Sequence, residues 1–79
     1  MPVLTDVSRD EWVMLKTRLI LKGRAYLTTS AHDLATEALR IAALIEEHLA
    51  ETADTDPNGP RREDHLASAA SLRALAVPR

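Results

Sequence analysis

Residues 9–22 are the segment that most constrains this chain. Wound into a helix at about 100° per residue, they put Trp12, Leu15 and Leu19 on one side, Val13 and Ile20 on a second, and Met14 and Leu21 on a third. Only Lys16, Thr17, Arg18 and Lys22 interrupt the apolar surface. A helix that is apolar nearly all round requires burial nearly all round. The chain has 79 residues, and a chain of this size buries only about 60% of the surface its unfolded form exposes. Two further helices cannot cover such a girth. A second copy can, and symmetric self-association is the commonest way to supply one, so the expectation is a homodimer.

The helical boundaries rest on caps and breakers. Ser8-Arg9-Asp10-Glu11 has the spacing of a capping box, in which Ser8 takes the amide three residues on and Glu11 reaches back. Gly23 reads as a left-handed stop, and 23–29 as a connection. Ser30 reads as the N-cap of a second helix, about 31–52, with Asp33 placed where the helix dipole favours an acid. Leu34, Ala38, Ile41, Ala42, Ile45 and Leu49 form its apolar stripe. Asp54-Thr55-Asp56-Pro57-Asn58-Gly59-Pro60 has loop chemistry, so 53–60 is a loop and Pro60 can be the first residue of a third helix. That helix, about 61–76, has high propensity from its alanines but a poor apolar stripe, with Leu66, Leu72, Leu75 and Val77 scattered around it. The expected fold is a single all-α domain of three helices, preceded by an extended arm at 1–7, where Val3, Thr5 and Val7 alternate with Leu4 and Asp6.

The core must be aliphatic, since the chain has 13 Ala, no Phe, one Trp and one Tyr. Trp12, Leu15, Leu19, Ile20, Leu34, Ala38, Ile41, Ile45 and Leu49 are the residues expected at a core shared between two copies. The absence of Cys excludes disulfides, thiolate metal sites and a Cys nucleophile. The longest apolar runs, Trp12 to Leu15 and Ile41 to Ile45, are too short to span a bilayer. With no basic segment leading into an apolar run at the N-terminus, a soluble, cytoplasmic protein without membrane contact is expected.

Candidate chemistry is sparse. His48 beside Glu47 and Glu51, with His32 and His65 elsewhere, are metal-ligand residue types. However, zinc needs three or four ligands converging tetrahedrally, and His32 and His48 lie about 24 Å apart along one helix. Ser30, His32 and Asp33 contain the types of a nucleophilic triad, but capping accounts for Ser and Asp at a helix start. Two glycines supply no phosphate-binding loop. The expectation is a non-enzyme without cofactor or metal.

Charge points to partners. Net charge is −2, split into a basic first segment, an acidic middle and a basic end. Glu37, Glu47 and Glu51 form a candidate acidic docking face for a basic protein partner. Lys16, Arg18, Lys22 and Arg24 are candidate nucleic-acid contacts. The leading expectation is a small regulatory or adaptor protein of the antitoxin, inhibitor or phage-accessory kind, binding a macromolecule through a helical face. The Ala-, Arg- and Asp-rich usage fits a high-GC genome, including a phage of such a host.

The order of an alternating arm, Val3-Leu4-Thr5-Asp6-Val7, followed by two capped helices resembles the ribbon-helix-helix DNA-binding family over residues 3 to about 50. The resemblance implies a dimer whose paired arms enter the major groove. A dimeric DNA-binding regulator of that type, or of helix-turn-helix type, is the alternative expectation.

Overall fold

A computed structural model describes residues 8–76; the arm at 1–7 lies outside them. Three helices account for most of the described chain: α1 (Arg9–Thr28), α2 (His32–Glu51) and α3 (Arg62–Leu75). A single 3-10 turn at Ala53–Thr55 comes after α2. The all-α expectation holds, and among the described residues no helix is long and apolar enough to cross a membrane.

The capping logic is partly as expected and partly inverted. Ser8 caps α1, its hydroxyl accepting from the Glu11 amide at 3.2 Å. Gly23 does not stop the helix, which runs on to Thr28. The stop comes at Ser30, whose φ is 65°. There the Ala31 amide donates to the Tyr26 carbonyl at 2.8 Å and the Ser30 amide to Leu27 at 3.3 Å. This is the paired closure of a Schellman motif, with Ser30 in the left-handed position usually held by glycine. Ser30 is therefore a terminator of α1 rather than the N-cap of α2, and no side chain caps α2. At α3 the Arg61 amide donates to Asp64 Oδ2 at 3.1 Å, so Pro60 lies before the helix instead of opening it.

Gly23 is in α1 because of what it touches. It is the one buried residue of that helix. A Cβ there would sit 2.7 Å from Leu39 Cδ2 and 2.8 Å from Leu39 Cγ. The glycine lets α1 and α2 approach closely as an antiparallel pair, and Leu39 is fully buried in the seam.

α2 is the central helix, packed by α1 and by α3. Its buried surface is mostly small: Ala35, Ala38, Ala42, Ala43 and Ala50 alongside Leu39, Ile45 and Leu49. α3 lays down a matching stripe of His65, Ala69 and Leu72, continued by Ala76. Its apolar residues look scattered in sequence because the stripe is made mainly of alanine. Leu39, Ala42, Ala43, Ala69, Leu72 and Ala76 form the core, with Leu19, Ile20 and Leu27 of α1 against it. The assembly is a slab of 38 × 32 × 15 Å.

Gly23→Ala tests the close approach. Alanine gains about 1 kcal/mol of helix propensity, whereas overpacking costs about 1–3 kcal/mol. The expected result is a net loss of about 1 kcal/mol, read as a lower Tm; a stabilised variant would refute the account. Ser30→Gly should act oppositely, since a left-handed non-glycine residue costs roughly 1–2 kcal/mol. Allowing for the greater freedom of an unfolded glycine, a gain of about 0.5–1 kcal/mol is expected.

Candidate functional site

Two features stand out: a closed polar cluster where the three helices meet, and an open apolar face on the far side of the α1–α2 pair.

The cluster is built on Glu46, a carboxylate buried in the middle of α2. Removing such a charge from water is costly unless it is paired. Lys16 of α1 places its ammonium 2.7 Å from Oε1. That contact lacks hydrogen-bond alignment, so Oε1 is held by charge alone. His65 of α3, also buried, places Nδ1 3.6 Å from Oε2. The other ring nitrogen, Nε2, is 3.1 Å from Arg9 Nη2. A guanidinium only donates, so Nε2 is the acceptor in this contact, and Nδ1 faces Glu46. Arg9 Nη1 also donates to the Leu49 carbonyl at 3.1 Å and to Thr52 Oγ1 at 2.5 Å. Its Nε lies 3.8 Å from Asp56 Oδ2. One arginine thus ties the end of α2, the adjoining turn and α3 to the start of α1, where a cation also suits the carbonyl end of α2.

Glu46 and His65 are acid–base residue types, but they are sealed. Two open depressions, one at Asp33, Thr36, Glu37, Arg40 and Ile41 and one along the 53–63 loop, are lined by neither. Among the described residues no three His, Asp or Glu side chains converge as metal ligands.

On the open face Leu15 of α1 and Leu34, Ile41 and His48 of α2 are exposed and Trp12 and Tyr26 of α1 half-buried, over the buried Ala38 and Ile45. Helical spacing places these on the side away from α3, which covers the Ile20, Leu27, Leu39 and Ala43 side. Leu15, Leu34 and Ile41 remain 43%, 51% and 41% exposed. Trp12 is half-buried, its ring 5.3 Å from that of His48 and tilted by 54°. Of the nine residues expected at a shared core, Ala38, Ile45 and Leu49 are buried within the chain itself. Trp12, Leu19 and Ile20 are half-buried, and Leu15, Leu34 and Ile41 are exposed.

The charged candidates are dispersed. Glu37 and Glu51 are exposed on the outer side of α2. Glu47 is bonded to Arg73 Nη2 at 2.5 Å, and that hydrogen bond holds its carboxyl below the ordinary carboxylate range. Lys16 is engaged with Glu46. Arg18, Lys22 and Arg24 are exposed, but Lys22 and Arg24 lie two residues apart and so point to opposite sides of α1. Sequence reasoning misses Arg9, Glu46 and His65 as a group, since the contacts joining them span 19 to 56 positions of the chain.

The chain matches no known protein-family model, and no curated protein and no solved structure matches it.

Breaking the Lys16–Glu46 pair one-sidedly should be costly. Lys16→Met leaves a buried carboxylate without its cation and is expected to lose about 3 kcal/mol. Lys16→Met combined with Glu46→Met should recover much of that. Chemical denaturation of the two variants and of Glu46→Met completes the cycle; equal losses in the single and double variants would contradict the pairing.

Proposed function

We propose that this chain is a non-enzymatic interaction protein, a small regulatory or adaptor module that works by association through the open face of the α1–α2 pair. The observation that carries this is that Leu15, Leu34 and Ile41 are exposed along the same side of the α1–α2 pair as the half-covered Trp12. Single exposed apolar residues are ordinary on a protein surface. Several aligned along one side of two packed helices support an interaction surface. The polar cluster does not compete for a functional role, because every member is turned inward and partnered by another helix. Lys16 belongs to that cluster, which removes one of four cations from the DNA-binding alternative and leaves Arg18 and Lys22 on one side of α1 with Arg24 on the other.

The test is a photo-crosslinking residue at position 41, compared with one at Ala67 on the exposed side of α3, each expressed in the native host. Adducts of defined mass from position 41 and none from position 67 are expected. No adducts from either position, or equal adducts from both, would overturn the assignment.

A further inference from the structure

We infer that the occupant of the open face is a second copy of this chain, laid face to face so that α1 of each copy lies over α2 of the other. This rests on the association proposed above and narrows it to one partner. Size permits it. Two 20-residue helices side by side, each about 30 Å long and about 10 Å wide, present about 600 Å². Two copies then bury about 1,200 Å², the lower bound of a specific interface. Shape permits it too, since α3 packs on α2 away from this face and would lie outside the joint in both copies.

Charge selects the arrangement. Beside the open face, α1 exposes Arg18 and Lys22, with Glu11 the minority acid near its start. On its outer side α2 exposes Asp33, Glu37 and Glu51, with Arg40 the minority base. A two-fold axis running along the helices sets α1 over the partner's α2 and brings the net-basic rim to the net-acidic one, with Lys22 within one turn of the level of Glu37 although level with Arg40. An axis across the helices sets α2 on α2 and acids on acids, which costs affinity.

The arrangement also fixes a level. Lys16 lies beside Glu46 and Gly23 beside Leu39, so position 22 is level with position 40 within a chain. A two-fold along the helices keeps that level between copies. The chain contains no cysteine, so introduced thiols report cleanly.

Light scattering from micromolar to millimolar concentration should return twice the 8.7 kDa chain mass. Ile41→Glu and Leu15→Glu should return the single-chain mass with helical circular dichroism intact. Leu66→Glu, on exposed α3 surface, should leave the dimer unchanged. Lys22→Cys chains mixed with Ile41→Cys chains should give a disulfide-linked heterodimer, and Ile41→Cys alone should give little. That mixture still decides the matter if the glutamate variants unfold. A wild-type monomer throughout, a dimer indifferent to positions 15 and 41, or linkage through Ile41→Cys alone would overturn the inference. A monomer whose position 41 still labels a different protein would remove the second copy while leaving the association standing. An absence of any adduct would remove both.

Discussion

A central helix can hold two neighbours only by giving each a share of its circumference, and α2 gives both shares from the same side. The surface it commits runs from Ile45 and Leu49, which meet α1, to Ala43 and Ala50 toward α3, with Leu39 and Ala42 between. The remaining surface, from Leu34 through Ile41 to Leu44, meets neither. That allocation sets the shape of the molecule. With α1 and α3 each packed on α2 and hardly on each other, three helices make a slab 15 Å thick. The apolar residues of α1 that flank its seam with α2 then have cover on one flank only.

The small side chains of the seam need something to fix their register. Alanine against alanine gives close approach but little shape to specify one docking from its neighbours one turn away. The Glu46 cluster supplies that specification. A buried carboxylate tolerates only an arrangement that brings Lys16 and His65 to it, and a slip of one turn, about 5.4 Å, would strand it. Such clusters contribute little net stability against a well-packed apolar substitute, and their best-attested role is the choice of a unique arrangement. Arg9 extends the same control to the loop, because its contacts with Thr52 and Asp56 set where the chain leaves α2 before turning into α3.

The features legible in the sequence are those that depend on near neighbours. The three helices, the Ser8 cap and the loop around Pro57 and Gly59 all rest on residues within a few positions of one another. The excess apolar girth of α1 is equally legible, and Met14 and Leu21 are indeed exposed on its outer side. Sequence reasoning fails where a local signal has a distant cause. Gly23 reads as a terminator because glycine usually ends helices, but its purpose is set by Leu39, sixteen residues on. Ser30 reads as a cap because serine usually opens helices, but the Schellman closure of α1 uses it first. The polar cluster is signalled only in half: Glu46 stands one turn from Ala42, Leu49 and Ala50 on the apolar side of α2, unlike Glu47, which lies on the surface with Arg73, but nothing local names Lys16 and His65 as its partners.

The contrast between those adjacent glutamates changes the weight of the remaining charges. Taken by composition, the acidic middle and basic flanks form a surface pattern available to partners. In the folded chain part of that pattern is already used internally: Lys16 by Glu46, Arg9 by the end of α2, Arg73 by Glu47. Left outside on these two helices are Arg18, Lys22 and Arg24 with Asp10 and Glu11 on α1, against Asp33, Glu37 and Glu51 with Arg40 on α2. These are too few and too divided to attract a polyanion, for which affinity grows with the number of phosphates neutralised. Arg18 and Lys22 against Glu37 are placed to orient a partner that carries the same two helices, because a net charge split between the halves of one face is complementary to itself under a two-fold rotation. The apolar trio would then provide the adhesion and the divided charges the orientation, which is the usual division of labour between the centre and rim of a protein interface.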